Sequence, residues 1–245
     1  MTRSIAVLLV PILTVLTTTH AFETTIGGVY QDFSLSGNVQ SNGTSIDVEN
    51  TLGIQDDTTI GGFLRMDGDK HHLWFRYLSA DYSGDTTLAV DIQFQGQTFT
   101  ATSRVTSAFE YDHFELQYHY DLLNRTHFSV SPLFKVDLYD AKVQIQDSTN
   151  ILNESYSQSI PVPTLGINIR VDPNEYFHFY AQANGIAFDD NSFFEYQAVI
   201  GITPLQYISL EFGYLKKSIE YNDAVDIIDI EEDGWFAGVA FTYAF

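Results

Sequence analysis

The chain contains no cysteine among its 245 residues, so neither disulfides nor thiolate metal sites are available to it. Basic residues are scarce: 11 Lys and Arg stand against 32 Asp and Glu, a formal charge of −21. That imbalance excludes nucleic acid as a partner, because phosphates would be repelled, and it disfavours an anion-selective pore. Beyond residue 21 no apolar run approaches the ~20 residues that a spanning helix requires. Aromatic residues, by contrast, are plentiful, with 19 Phe and 15 Tyr. A chain that enters lipid without helices must close its strands into a barrel, since any sheet edge would leave backbone groups unsatisfied.

The two ends of the sequence agree with that reading. MTRSIAVLLVPILTVLTTTHA carries Arg3, an apolar run from Ile5 to Leu16, and small residues Thr19 and Ala21 at −3 and −1 of a cleavage position. The run is too short to span and contains Pro11, so residues 1–21 read as a cleaved signal peptide and 22–245 as the exported barrel. The chain finishes WFAGVAFTYAF, with Trp235, Ala237, Val239, Phe241, Tyr243 and Phe245 on one face of a strand. A face that is apolar to its last residue calls for an apolar exterior.

Between the ends, alternating stripes flank short polar turns. Leu64 and Met66 precede DGDK, and Leu73, Phe75 and Tyr77 follow it; Phe114 to Tyr120 lead into DLLNR, and Phe128 to Leu138 leave it. DPNE and TPLQ separate two further pairs, Leu165–Val171 from Phe177–Ala183 and Phe194–Ile202 from Ile208–Tyr214. With a first strand near Val29–Leu35 and the terminal strand, the pattern predicts a single all-β antiparallel transmembrane barrel of ten strands, with eight or twelve left open. The four tight turns read as periplasmic. Polar stretches around 37–57, 83–104, 147–160 and 219–233 read as long extracellular loops, with a shorter link near Asp189–Ser192.

The same parity turns most charges inward: Arg65, Arg76, Lys135 and Arg170, with Asp32, Glu115, Asp137, Glu195 and Glu211. A base on the lipid face would cost about 2–4 kcal/mol at the midplane, so this facing supports the register. These nine residues are expected to form a lumen ion-pair network that fills the barrel. Two phase conflicts remain, Ile26 against Val29 and Tyr111 against Phe114: the first calls for a bulge near Gly27-Gly28 or a slip in register, and the second for a bulge near Asp112-His113 or for an upper part that projects beyond the membrane.

DVENTLGIQDDT, RYLSADYSGDTTLAVDIQFQGQTF, PVPTLGI and the aromatic terminus together resemble a family of Gram-negative outer-membrane β-barrel proteins. The resemblance covers most of the chain after the signal and implies an outer-membrane location. It also implies that Tyr243 and Phe245 act as an address read by the barrel-assembly machinery. It supplies no catalytic residues.

Motifs for chemistry are weak. Asp229-x-Glu231-x-Asp233-Gly234 resembles the first half of a calcium loop, but Ala240 stands where a bidentate Glu is needed. Asp226, Asp229, Glu231 and Asp233 are therefore expected on a solvated outer loop, with a weak divalent-cation site as the alternative. His119, His178, Ser129, Glu115 and Asp137 allow a hydrolase to be drawn, without any local signature for one. The expectation is a monomeric, cofactor-free and non-enzymatic barrel in contact with outer-membrane lipid and lipopolysaccharide, serving envelope structure or surface interaction. A narrow passive channel and an outer-membrane hydrolase are the alternatives.

Overall fold

Ten strands carry the alternation just described: β1 (Glu23–Ser41), β2 (Asp57–Asp67), β3 (His71–Thr87), β4 (Arg104–Tyr120), β5 (Phe128–Asp147), β6 (Asn153–Asn174), β7 (Phe177–Phe188), β8 (Asn191–Leu205), β9 (Ile208–Asn222) and β10 (Asp226–Ala244). The structure, a computed structural model, describes residues 22–41, 44–149, 151–222 and 226–244. The expected signal peptide and Phe245 lie outside the described residues. Each strand pairs antiparallel with the next, and β10 returns to β1 from Glu23↔Ala244 to Ser41↔Asp226. The ring is closed, so every barrel strand has two neighbours over at least part of its length.

The apolar belt faces outward. Phe134, Leu165, Ile167, Ile200, Leu210, Phe212, Trp235 and Phe241 are among the exposed side chains. So many exposed large hydrophobics in one band would be an aggregation surface in water, and hydrocarbon is the medium that stabilises them. The tight turns gather at one end, where Glu23, the start of β1, also lies opposite Ala244.

Three expectations are corrected. Neither bulge exists: β1 keeps unbroken register with both neighbours, and β4 does so with β3 and β5. In β1 the facing is also reversed, because Val29, Phe33 and Leu35 are buried inside while Ile26 and Tyr30 are exposed outside. Asp32 therefore points outward, opposite Trp235, and does not join the lumen network. The reason is that the stripe changes sides along one continuous strand. In β4, Phe114, Leu116 and Tyr118 face lipid below, while Tyr111 and Val105 are buried in the lumen above.

Thirdly, the outer connections are shorter than the polar stretches suggested. β6 begins at Asn153 and β10 at Asp226, so most of 153–160 and 226–233 is strand. Hydropathy alternation fades once a strand leaves hydrocarbon, yet its hydrogen-bond ladder continues. β5 and β6 reach 20 and 22 residues, about twice the ~9–11 that a membrane crossing needs. The surplus stands above the outer leaflet as a turret.

Two outer loops fold back into that turret. Ile46, Val48, Leu52 and Ile54 from one, and Leu88, Ile92, Phe94 and Phe99 from the other, pack with Tyr82, Val105, Ile145 and Ile230. The second loop is organised by a small hairpin, Ile92–Phe94 with Gln97–Phe99. Its turn residues Gln95 and Gly96 both have positive φ, 51° and 76°, as a two-residue type I′ connection requires. At the β5–β6 turn, the Asp147 carboxylate accepts the N–H groups of Ile151 and Leu152 at 2.9 and 3.0 Å and the Thr149 hydroxyl. These donors, the Thr149 hydroxyl foremost, hold its pKa below the usual aspartate value.

Candidate functional site: the barrel lumen

The lumen is built by residues of one parity on each strand, and they sort into tiers. At the periplasmic mouth lies a cavity of about 640 Å³, lined by Asp67, His72, His119, Asp121, Asn168 and Arg170 among others. His72 bridges two carboxylates there, with Nδ1 2.8 Å from Asp67 and Nε2 3.3 Å from Asp121. The Ser131 hydroxyl donates to Asp121 at 2.5 Å. Arg170 sits at this mouth, 41% exposed and bonded to Asp172 at 2.9 Å, so it belongs to the rim and not to the buried network.

Above the mouth the charges are closely matched. Arg65 presents its guanidinium fork to Glu211 at 2.5 and 2.8 Å and donates to Tyr180 at 3.2 Å. Its cationic carbon lies 4.4 Å from the Phe63 ring centre and 4.6 Å from that of Trp74, so two aromatic rings contact the guanidinium end of the ion pair. Arg76 bonds Glu115 at 2.5 Å. Lys135, fully buried, lies 2.6 Å from Glu195, 3.2 Å from Asp137 and 3.6 Å from Glu115. The structure thus brings seven of the nine proposed network residues together, and sets Arg170 and Asp32 apart.

Further members lie outside the sequence reading. His113 is fully buried, with Nε2 2.6 Å from Asp137 and its ring stacked 4.3 Å from that of Tyr139. Parity from Phe114 would have placed it inward, but the assumed bulge at Asp112-His113 hid it. Lys217 bonds Glu232 at 2.9 Å, and the Tyr82 and Tyr111 hydroxyls donate to the same carboxylate. Glu232 belonged to the acidic stretch read as loop, and Lys217 to a strand taken to end near Tyr214.

The remaining candidates are distributed differently from a catalytic or cation centre. Asp229, Glu231 and Asp233 lie on the outer face of β10 within a strand, not a loop. Glu231 bonds Lys216 at 2.7 Å, and Asp233 accepts the Tyr214 hydroxyl at 2.5 Å. Asp226 opens the same strand with the other parity. His119 is engaged by Gln117 and Gln182, His178 lies 3.6 Å from Glu211, and Ser129 lines the periplasmic cavity. His113, Glu115 and Asp137 do bring ligand atoms within 4.8 Å of one another. Lys135 and Arg76 already supply positive charge to those carboxylates, so the cluster fits an ion-pair plug better than a metal centre.

The closed ten-stranded ring, its lipid-facing belt and its filled polar interior define the class: an outer-membrane β-barrel protein. Comparison with known proteins agrees at the level of fold. The chain is similar to the outer-membrane protease OmpT from Escherichia coli, with a TM-score of 0.56 at 10% identity over 93% of this chain and 98% of that one. The translocator domain of the autotransporter NalP from Neisseria meningitidis gives 0.48 at 11% identity, over 94% of this chain and 91% of that one. Ail of Yersinia pestis gives 0.42 at 10%, over 91% and 99% respectively. Comparison with family models and with curated proteins gives no match.

Proposed function

We propose that this chain is a non-conducting, non-enzymatic outer-membrane barrel whose extracellular turret serves envelope structure or surface interaction. The observation that carries the reading is the plug: a fully buried lysine held by three carboxylates spans the lumen, and the loop core closes the turret above it. Ions crossing such a lumen would have to break paired charges in a low-dielectric interior, a cost of several kcal/mol. Above the membrane, Asp81, Glu110, Asp140 and Asp229 expose carboxylates around the turret wall. That rim suits lipopolysaccharide phosphates bridged by divalent cations, with the barrel-assembly machinery as the partner during insertion. The protein acts as a monomer in this reading.

Planar-bilayer recording on the refolded barrel tests it. A flat baseline is expected across ±100 mV (an applied range of about that size is ample for a charged pore). Reproducible unitary openings would favour the narrow channel. Turnover of phospholipid or peptide substrates by the same preparation would favour a hydrolase.

A further inference from the structure

The turret wall is uneven in height. β5 and β6 run to 20 and 22 residues, whereas β7 and β8 have 12 and 15. Pairing between β6 and β7 ends at Leu165↔Gly185, and the β7–β8 hairpin turns between Phe188 and Asn191. Among the described residues, β6 over 153–164 therefore pairs with β5 alone. The space behind this notch has the same outline. It is lined by Ile160 and Val162 of β6, Ile219 of β9 and Ile228 of β10 among others, and β7 and β8 contribute nothing to it.

Two prolines show which backbone groups face the notch. The ladder to β5 continues without a break through Pro161↔Leu138 and Pro163↔Val136. Proline has no N–H to give, so an unbroken antiparallel ladder requires both on the parity that points away from β5. Asn153, Ser155, Ser157 and Ser159 share that parity, and their N–H and C=O groups point into the notch. Near the lipid belt the prolines leave the edge without donors, a usual protection of an exposed strand. Higher up that protection stops: 153–159 has no Pro, Lys or bulge, and its outward side chains are one Asn and three Ser.

Three features select the occupant. A row of alternating backbone donors and acceptors is matched by another extended chain, which pairs with it as an added strand. Side chains pointing inward from that strand would meet Ile160, Val162, Ile219 and Ile228, so every second one is apolar. The rim is acidic, with Glu154 on β6, Asp189 and Asp190 at the β7–β8 turn, and Glu220 on β9. The lysines of β9 do not offset it, since Lys216 and Lys217 are held by Glu231 and Glu232 at 2.7 and 2.9 Å. Complementary charge is therefore basic, and a second copy of this chain, itself at −21, is repelled.

We propose that the notch above β7 and β8 is a strand-acceptor site for an extended segment of a partner protein, apolar at alternate positions and flanked by Lys or Arg. The segment pairs with the free edge of β6 at Ser155, Ser157 and Ser159, turns its apolar side chains into the turret, and sets its basic ends against the acidic rim. This rests on the reading of the turret as an interaction surface and names the kind of partner that the surface takes.

The test uses the full barrel in phospholipid nanodiscs, with the peptide KITVTVTIK as probe and amide exchange by NMR as readout. Without peptide, the amides of Ser155, Ser157 and Ser159 should exchange fast and those of Tyr156 and Gln158, bonded to β5, slowly. Peptide should protect the three serines in a saturable way and leave the other two as they were. Ser157→Pro removes one edge donor on the parity that already carries prolines, so it should weaken binding about threefold to tenfold with barrel yield unchanged. Adding Ser155→Pro should abolish binding. The acid-ended peptide EITVTVTIE should bind at least about tenfold more weakly to the unaltered barrel, a comparison that needs no variant to fold. Unprotected serines in excess peptide would overturn the proposal, as would equal affinity for the two peptides or wild-type binding by the double proline variant. Protection that appears without peptide and rises with the number of barrels per nanodisc would make a second copy the occupant and overturn it too. None of these failures touches the non-conducting reading, which only channel openings or substrate turnover would refute.

Discussion

Replacing Lys135 with Met isolates what the plug contributes. Methionine keeps an apolar stem of similar length and removes only the ammonium group, which lies 2.6, 3.2 and 3.6 Å from Glu195, Asp137 and Glu115. Three buried carboxylates would then share Arg76 and His113 as their nearest basic groups. Removing one partner from a buried ion pair costs about 3–5 kcal/mol, mostly the desolvation of the charge left behind. The matched control is Lys142→Met, whose partner Glu110 is 3.4 Å away and whose side chains are 43% and 47% exposed. Exposed pairs contribute about 0–1 kcal/mol. Urea titration of the barrel in phospholipid vesicles, read by heat-modifiable mobility, should therefore separate the two variants by at least ~2 kcal/mol. Adding Glu195→Gln to Lys135→Met should restore part of the loss, a coupling within the roughly 0.5–3 kcal/mol seen for contacting residues. If Lys135→Met were no worse than Lys142→Met, or if the two substitutions simply added, the plug would not be a coupled buried network.

Other substitutions probe the facing, the packing and the rim. Ile167→Arg puts a base on the lipid face and should cost about 2–4 kcal/mol in the same titration, while Asn168→Arg, facing the acidic periplasmic cavity, should cost less; the reverse order would refute the register of β6. Gly201→Ala would drive its Cβ into the His178 ring and displace it from Glu211, a loss of about 1–3 kcal/mol that wild-type-like stability would contradict. Changing Asp229 and Asp233 to Asn and Glu231 to Gln should abolish any protection that calcium gives the turret against proteolysis, without lowering barrel yield. Unchanged protection in that triple variant would leave these acids as ordinary solvated surface.

How much of this was legible in the sequence depends on which side of the outer leaflet a residue lies. Within the membrane the reading was good, because Arg65, Arg76 and Lys135 have a strong energetic reason to face inward and so fix the parity of β2, β3 and β5. Between Val29 and Leu35, β1 offered only Asp32 as a charge, and taking it as inward reversed the strand. Asp32 sits opposite Trp235 and two residues from Ser34, which faces Asp233, where the belt gives way to polar wall. A carboxylate there costs little, so its facing carried no information. Glu232 was read as solvated for a related reason: its partners Lys217, Tyr82 and Tyr111 come from three other strands. Nothing in a local stretch announces such a convergence.

The misplaced bulges point to a single physical cause. Below the outer rim the protein is built inside out, with polar groups in the lumen and hydrocarbon outside. Above it the same strands stand in water and must bury their apolar side chains inside, as a soluble sheet protein does. The apolar stripe therefore crosses from one face to the other with no change in register. β1 goes from Ile26 and Tyr30 outside to Phe33 and Leu35 inside, and β9 from Leu210 and Phe212 outside to Leu215 inside. β10 makes the same change, read upward from its C-terminal end, between Trp235 and Ile230. In the sequence this change looks like an extra residue, because a phase slip in hydropathy is also what a bulge produces. The two causes differ in their backbone consequences. A bulge interrupts the ladder, whereas a change of medium leaves it whole, as the unbroken pairing of β1 and β4 shows. The level at which the stripes cross, near Glu232 and Lys217, is therefore the level at which hydrocarbon ends outside and an apolar core begins inside.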